Sequence, residues 1–276
     1  MSETDYDLII IGGGTAGMTA GMYASRHGLK SVLLERLMTG GQIINAEKIE
    51  NFPGFPGGIS GAEFGPLLQD QATAQGLEIR LSEVTGSRRQ GPAWLVETYD
   101  GELSSRAVIV TGGSTLRTLG VPGETELHGA GVSYCATCDG AFFVDEVVAV
   151  VGAGDSALDE AITLTEFASK VLVFRRGEGF SGQQVLQDRV TSSPNIEVRD
   201  NTTVTAILGD AQVEGISVED SESGETSRVD LSGVFVYVGL EPNTQYLREL
   251  LPLDNAGHIP TDIWMRTELP GLLAAG

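Results

Sequence analysis

The sequence has very little of the two residue types that most often bind metals. Its 276 residues include only two cysteines and three histidines, and the histidines stand far apart. A zinc site needs four such ligands, so the cysteines do not by themselves predict a metal centre. One short disulfide would also constrain little of a chain this long. The pair Cys135 and Cys138 therefore favours a redox role.

Lysine and long apolar runs are also scarce. There are three lysines, and 38 acidic residues against 17 basic ones give a net charge of −21. Such a charge argues against nucleic acid and anionic membrane surfaces as partners. No apolar run reaches the ~18 residues of a membrane span, and the acidic first seven residues lack the basic region of a secretory signal. We therefore predict a cytoplasmic protein, in the compartment where thiols stay reduced.

The segment Cys135-Ala136-Thr137-Cys138-Asp139 has the spacing of a reactive dithiol. Two cysteines three positions apart can close a small disulfide ring, and the pairing stabilises one thiolate. A dithiol of this kind exchanges two electrons with other disulfides. Asp139 is placed to supply or remove the proton that each exchange needs. The predicted catalytic residues are Cys135, Cys138 and Asp139.

A strand, a glycine-rich loop, a helix and a second strand follow one another near the N-terminus. The run Tyr6–Ile11 leads into Gly12-Gly13-Gly14-Thr15-Ala16-Gly17, a helix is predicted over 18–27, and the strand 31–34 ends at Glu35. The first glycine of such a loop permits the turn, the second admits a pyrophosphate and the third lets helix and strand pack closely. The terminal acid is placed to accept hydrogen bonds from a ribose. These features predict an FAD site that includes Gly12, Gly14, Thr15, Ala16, Gly17 and Glu35.

Other stretches add candidate contacts for that cofactor. The segments 39–42 and 50–58 are dense in glycine and proline and predict an irregular loop. Such a loop can lie against a planar ligand, although a surface connection fits equally well. The buried strand 106–111 leads into Gly112, and doubly wound sheets place ligands at the carboxyl ends of their strands. The candidate residues are Gly41, Gln42, Asn51, Val84, Thr111 and Gly112.

The same strand–loop–helix–strand pattern recurs about 140 residues later. The strand 147–151 leads into Gly152-Ala153-Gly154-Asp155-Ser156-Ala157, a helix is predicted over 157–168, and the strand 171–174 ends in two arginines. Arginines at this position suit the 2′-phosphate that distinguishes NADPH from NADH. The alternative is an exposed basic pair. The candidate NADPH contacts are Gly152, Gly154, Asp155, Ser156, Ala157, Arg175 and Arg176.

Together these patterns predict an α/β fold with two Rossmann-like dinucleotide-binding domains, the second inserted into the first. Nearly the whole chain closely resembles the low-molecular-weight thioredoxin reductases, through both glycine loops, Cys135–Gly140 and the segments 40–42, 50–55 and 239–243. The resemblance implies an FAD-binding domain over 1–116 and 245–276, cut short at its C-terminus, and a pyridine-nucleotide and dithiol domain over 117–244. It also implies a homodimer and a rotation between the domains, for which we predict a hinge near Arg117 and Glu241.

The resemblance implies a route for the electrons as well. In that family NADPH reduces FAD, FAD reduces the disulfide, and the dithiol reduces thioredoxin. Carried over to this chain, Cys138 faces the flavin, Cys135 attacks the partner's disulfide and Asp139 is the acid–base residue. The expected partner is therefore a thioredoxin-like protein disulfide.

The sequence departs from the family's pattern at three places. In the NADPH segment, Phe174 and Ser181 replace a histidine and an arginine, and Glu178 adds a negative charge. Thr15 replaces a proline in the first loop, and the family continues past the position of Gly276 with a flavin-contacting aspartate and a helix. The altered arginine segment favours another donor, ferredoxin or a second flavin, whereas the intact second loop favours NADPH. A redox sensor without turnover is the third hypothesis, which the intact dithiol segment disfavours.

Overall fold

The computed structural model describes residues 4–276, and these form two folding units. The first unit contains the chain up to Thr115 together with Glu241–Gly276, and the second is Leu116–Leu240. The boundaries predicted above, at 116/117 and 244/245, lie one and four residues beyond these divisions. Residues 1–3, which open the acidic N-terminus discussed above, lie outside the described residues.

Seventeen strands and five α-helices are found among the described residues. In chain order the strands are β1 (Tyr6–Ile11), β2 (Ser31–Glu35), β3 (Glu78–Leu81), β4 (Val84–Gln90), β5 (Ala93–Thr98), β6 (Gly101–Val110), β7 (Ser114–Leu116), β8 (Val132–Ser133), β9 (Val147–Val151), β10 (Lys170–Phe174), β11 (Ile196–Arg199), β12 (Thr202–Leu208), β13 (Gly215–Asp220), β14 (Thr226–Asp230), β15 (Gly233–Val236), β16 (Leu240–Pro242) and β17 (Leu272–Ala274). The helices are α1 (Thr15–Arg26), α2 (Gly61–Thr73), α3 (Ala136–Asp139), α4 (Asp155–Leu164) and α5 (Gln184–Ser192).

The first unit is built on one sheet of mixed direction, in the order β3-β2-β1-β6-β5-β4. Strands β1, β2 and β3 run parallel, and β6 lies parallel to both β1 and β17. The beginning of β6 pairs instead with the antiparallel strand β5. The carboxyl ends of β1 and β6 therefore meet at one edge of the sheet, where each strand leads into glycines.

The second unit repeats the parallel arrangement. Its main sheet has the order β11-β10-β9-β15-β8, and every pairing in it is parallel. A separate antiparallel sheet follows the order β12-β13-β14. Strands β7 and β16 form a two-stranded sheet and include residues at which the two units divide.

Both main sheets are held by continuous apolar strands that are covered on both faces. Residues of β1, β2, β9 and β10 are almost all buried, as expected for parallel strands packed against helices. In the first unit, Ile10 and Leu33 pack with Met18 of α1, and all three side chains are at most 1% exposed. Burial of this kind stabilises by roughly 1.5–3 kcal/mol per large side chain, so the edges that carry the glycine loops rest on rigid cores.

Several element bounds differ from the sequence-based prediction. Helix α1 begins at Thr15 instead of 18, and α4 covers 155–164 instead of 157–168, because each helix starts inside its glycine loop. Strand β6 begins at Gly101, where it pairs with β5. The capping box before α2 is present, since the hydroxyl of Ser60 accepts a hydrogen bond from the Glu63 N–H.

Among residues 4–276, we find no helix long and apolar enough to cross a membrane.

Candidate functional site: two nucleotide loops and a dithiol

The first glycine loop is shaped by contacts that admit no side chain. Gly12 has a φ of +106°, and a Cβ there would lie 2.3 Å from the carbonyl oxygen of Thr111. A Cβ on Gly17 would lie 1.9 Å from the carbonyl oxygen of Gly12. These two glycines therefore let β1, α1 and the end of β6 approach one another closely.

Gly14 differs from those two glycines because it is open on one side. Its φ is −74°, it is the N-cap of α1, and no side chain caps the helix. The nearest atom to a Cβ at this position would be the Cα of Gly41, 4.0 Å away. The first-turn N–H groups, which begin with Thr15, Ala16 and Gly17, are thus the uncapped end of a 12-residue helix. An uncapped N-terminus with an open glycine fits a pyrophosphate.

Glu35 at the end of β2 fixes the same loop. One carboxylate oxygen accepts the N–H of Gly13 at 2.7 Å, and the other accepts the N–H of Leu37 at 3.1 Å. A carboxylate has about four lone-pair sites, so acceptor capacity is left for ribose hydroxyls. Glu35 can therefore contact a ribose, as predicted, and also hold the loop in place, which is a second role that the sequence did not indicate.

Thr111 and Gly112 form the floor beneath the loop. The Thr111 hydroxyl donates to the carbonyl oxygen of Ile11 at 2.8 Å and lies 3.0 Å from that of Gly12. The Gly112 carbonyl accepts a hydrogen bond from the Asn243 side-chain amide at 2.9 Å. The buried threonine side chain thus connects the carboxyl ends of β1 and β6.

Of the remaining candidates in the first unit, Gly41 lies beside this loop. The N–H of Gly40 donates to the Gly13 carbonyl at 2.8 Å, which brings Gly41 beside Gly14. The Gln42 side-chain amide donates to the Ser114 carbonyl at 3.1 Å. Asn51 is exposed in an irregular loop, and Val84 is half-buried at the start of β4, where it packs against the core of the first unit.

The two kinds of glycine in the first loop give a testable contrast. We expect Gly17→Ala to cost at least about 1–3 kcal/mol of folding free energy, because its methyl group would collide with the backbone. We expect Gly14→Ala to leave the melting temperature of the apoprotein unchanged but to weaken FAD binding roughly tenfold or more, because its methyl group would occupy the side open to the phosphates. Thermal melts and FAD titrations of both apoproteins would check this. Unchanged FAD affinity in Gly14→Ala would contradict the assignment.

The second glycine loop has the same construction. Gly152 has a φ of +153°, and a Cβ there would lie 2.3 Å from the carbonyl oxygen of Tyr237. Gly154 is the N-cap of α4, without a side-chain cap, and Ala157 is fully buried. Asp155 and Ser156 are exposed in the first turn of the helix. This loop also fits a pyrophosphate.

Asp155 has a partner of its own beside that loop. One carboxylate oxygen accepts the N–H of Gln183 at 2.6 Å, and the other accepts the side-chain amide of Gln183 at 3.2 Å. The acid therefore joins the start of α4 to the segment that precedes α5, which sets the shape of the loop.

A cavity of about 830 Å³ opens over the second loop, and its lining includes Gly152–Ala157, Arg175 and Arg176. The guanidinium of Arg175 forms an ion pair with Asp200 and stacks 4.0 Å from the centre of the Phe180 ring. Its side chain is 10% exposed, and its Nη1 is buried without a partner among the described residues. Arg176 is exposed at the same cavity. A cavity with one unpaired guanidinium nitrogen and one exposed arginine fits a phosphate-bearing nucleotide.

The dithiol lies in the same unit as this cavity. Cys135 and Cys138 form a disulfide. Cys135 is the N-cap of α3, and its sulfur accepts the N–H of Cys138 at 3.2 Å. Cys138 is the more exposed of the two residues. A sulfur at a helix N-terminus is in a position that stabilises a thiolate.

Asp139 is held beside the disulfide by a serine that sequence reasoning missed. The buried hydroxyl of Ser133 donates to a carboxylate oxygen of Asp139 at 2.6 Å and accepts the N–H of Cys135 at 3.1 Å. The acid and the cysteine are therefore linked through one hydroxyl. The only signal in the sequence was the polar residue two positions before the first cysteine.

Glu160 and Tyr237 are two further residues near the dithiol that the sequence did not single out. Glu160 accepts the N–H of Ala136 at 2.7 Å, and the Tyr237 hydroxyl lies 3.2 Å from the same N–H. Burial raises the pKa of Glu160, and burial together with the neighbouring carboxylate raises the pKa of Tyr237. A signal was present for Glu160, because it stands on the same helix face as the buried Ala157 and Leu164.

Comparisons with known proteins agree along the whole chain. Residues 6–276 match the family described as pyridine nucleotide-disulphide oxidoreductase. The thioredoxin reductase of Mycolicibacterium smegmatis is 40% identical over 276 residues, which are 100% of this chain and 89% of the relative. The thioredoxin reductase of Treponema pallidum is 38% identical over 274 residues, which are 99% of this chain and 89% of the relative.

Solved structures are similar as well. The crystal structure of Lactococcus lactis thioredoxin reductase has a TM-score of 0.96 at 38% identity. The match covers 99% of this chain and 90% of the chain in that structure. The T. acidophilum thioredoxin reductase has a TM-score of 0.94 at 35% identity, with the same coverage. These similarities confirm the predicted fold class of two Rossmann-like domains. The chain therefore belongs to the pyridine nucleotide-disulphide oxidoreductase family and, within it, to the thioredoxin reductases.

Proposed function

We propose that this protein passes electrons from NADPH, through FAD and the Cys135–Cys138 pair, to the disulfide of a thioredoxin-like protein. The observation that supports this most directly is the formed disulfide at the start of α3, held in one unit with the second nucleotide loop. A dithiol on the unit that carries a nucleotide cavity can be reduced and can then reduce another disulfide.

The proposal assigns FAD to the first unit and NADPH to the second. In the first unit, the α1 N-terminus and Gly14 receive the pyrophosphate and Glu35 receives the ribose. In the second unit, the α4 N-terminus and Gly154 have the corresponding roles. FAD, when bound, supplies a two-electron carrier that accepts from a nicotinamide and donates to a disulfide. The chain's own residues bind and orient the two nucleotides and transfer protons to and from the dithiol.

In the exchange with the protein partner, each dithiol residue has a distinct part. Cys135 as a thiolate attacks one sulfur of the partner's disulfide, forms a mixed disulfide and releases a partner thiolate. Cys138 then loses its proton and, as a thiolate, attacks the Cys135 sulfur, which restores the intramolecular disulfide and releases the second partner thiolate. The two electrons of the dithiol have moved to the partner, whose two thiolates each take up one proton. Asp139, hydrogen-bonded through Ser133, is placed to transfer a proton at this step.

Asp139→Asn tests that proton transfer. We expect the rate of thioredoxin reduction to fall roughly 10²-fold or more, while NADPH still bleaches the flavin at the normal rate. Stopped-flow absorbance separates the two steps. The control is Asp145→Asn, which neutralises an exposed acid six residues further along the chain. Equal losses in the two variants would show that the effect comes from general charge and would exclude a positioned acid.

The proposed function is tested by anaerobic titration of the purified flavoprotein with NADPH, followed by addition of oxidised thioredoxin. We expect the flavin absorbance to bleach and then to recover as thiols appear on the partner. Bleaching with NADPH but no thiol formation on any disulfide would contradict the reductase proposal and support a redox sensor.

One set of observations favours a second candidate donor. Arg175 is largely occupied by Asp200 and Phe180, and Glu178 stands on the same cavity wall as Arg176. If dithionite bleaches the flavin and NADPH does not, the donor is ferredoxin or a second flavin, and the dithiol chemistry is unchanged.

The assembly, the compartment and the domain motion remain part of the proposal. We propose a homodimer in the cytoplasm, because the family resemblance implies the former and the low cysteine count favours the latter. The hinge near Arg117 and Glu241 remains a prediction.

A further inference from the structure

The first backbone N–H of α3 is directed away from the disulfide. Ala136 is fully buried, and its N–H donates to a carboxylate oxygen of Glu160 at 2.7 Å, with the Tyr237 hydroxyl 3.2 Å away. The Glu160 carboxylate and the Tyr237 hydroxyl thus share this one N–H donor. This N–H belongs to the residue directly after Cys135, so the carboxylate is coupled to that cysteine through one peptide group.

Both residues are also connected to the nucleotide site, Tyr237 directly and Glu160 through its helix. Glu160 is on α4, whose first turn forms the second glycine loop, and Tyr237 lines the cavity over that loop. The Tyr237 carbonyl is the atom that forces residue 152 to be glycine. The electron route proposed above gives neither side chain a task.

The position of this carboxylate affects the energy of the reduced dithiol. Reduction breaks the Cys135–Cys138 sulfur–sulfur bond with two electrons, and uptake of one proton leaves one thiol and one thiolate. A thiolate on Cys135, the N-cap of α3, would be stabilised by the N–H of Cys138, which the Cys135 sulfur already accepts in the disulfide. The Ala136 N–H is already bonded to Glu160, and an ionised Glu160 is a negative charge close to that thiolate. Both effects disfavour the thiolate and therefore the reduced state.

We propose that Glu160, which shares the Ala136 N–H with Tyr237, is a positioning residue that lowers the reduction potential of the Cys135–Cys138 pair. A lower potential makes the dithiol a stronger reductant towards the disulfide of its partner. This inference rests on the proposed function, since it deepens the role of the same dithiol.

The test is an equilibrium titration of the holoenzyme in graded mixtures of reduced and oxidised dithiothreitol, without oxygen. After an acid quench, maleimide alkylation and mass measurement give the fraction of reduced dithiol. Glu160→Gln keeps an acceptor for the Ala136 N–H but removes the charge. We expect about a tenfold shift of the equilibrium constant towards the dithiol, which equals about 30 mV. The reduced variant should also react faster with iodoacetamide at the same pH, because more of its thiol is ionised.

Two further variants separate this role from general effects. Glu166→Gln removes the same charge from an exposed residue just after α4, and we expect a shift of less than about threefold. Glu160→Asp keeps the charge but withdraws it by one methylene, and we expect a shift between those of the wild type and Glu160→Gln. A melting temperature for each variant identifies any variant that fails to fold. The folded variants then show whether the charge of Glu160 sets the reduction potential.

Each result distinguishes the inference from the proposed function. An unchanged potential in Glu160→Gln, or equal shifts in Glu160→Gln and Glu166→Gln, overturns the assignment to Glu160 and leaves the reductase proposal intact. A wild-type cysteine pair that does not exchange with dithiothreitol at all overturns both.

Discussion

Serine in place of either cysteine is expected to lower thioredoxin reduction by roughly three orders of magnitude or more, while NADPH still bleaches the flavin. One sulfur cannot carry two electrons as a disulfide, so the route to the partner is broken. Residues that act as one unit show such non-additive losses, and the double variant is expected to be no worse than either single one. Turnover with oxidised thioredoxin and flavin absorbance, measured on the same preparation, would check both parts.

The two single variants differ in what they leave behind. Cys138→Ser keeps Cys135, which can attack the partner but cannot be released from it. We therefore expect a mixed disulfide with thioredoxin that survives denaturing electrophoresis and disappears on reduction. Cys135→Ser leaves the other thiol and should trap much less partner. The reverse pattern, with trapping by Cys138 alone, would contradict the assigned roles of the two cysteines.

Much of the fold was predictable because two physical signals are local. The bounds of β1 and β9 match the predicted ones, because each is a short apolar run that ends directly in glycine. The glycines themselves indicated close backbone approach, and Gly12, Gly17 and Gly152 indeed leave no room for a Cβ. Helix α5 was missed, because Gln184–Ser192 contains few apolar residues and shows no clear helical period.

The parts of the site that could not be predicted depend on residues distant in the chain. Arg175 and Asp200 are 25 positions apart and meet because β10 and β11 end side by side, with Phe174 opposite Arg199. Glu160 reaches Ala136 in the same way, from a helix that follows a different strand. Sequence spacing indicates which residues a loop contains, whereas these pairs require the order of the strands in the sheet.

That pairing of Arg175 leads to the second large expected effect, which concerns the choice of nucleotide. Arg176 is exposed at the cavity, whereas Arg175 is bound to Asp200 and Phe180. We expect Arg176→Ala to raise the KM for NADPH roughly 10- to 100-fold, because a hydrogen bond to a charged group is worth about 1.5–3 kcal/mol. The KM for NADH should hardly change, because NADH lacks the 2′-phosphate. Steady-state kinetics with both nucleotides would check this.

Arg175→Ala is the matched comparison, and it should behave differently. Loss of the ion pair and of the ring contact should lower the melting temperature. It should also weaken the binding of both NADPH and NADH, because the wall of the cavity changes along with the charge. Ser181→Arg supplies the opposite test, since residue 181 lines the same cavity with its hydroxyl oxygen 3.8 Å from a Cβ built at Gly154. An added guanidinium there should lower the KM for NADPH selectively. Equal increases of the KM for NADPH and NADH in Arg176→Ala would show that the exposed arginine attracts both nucleotides through its charge without recognising the 2′-phosphate. The 2′-phosphate would then be assigned to the unpaired Nη1 of Arg175.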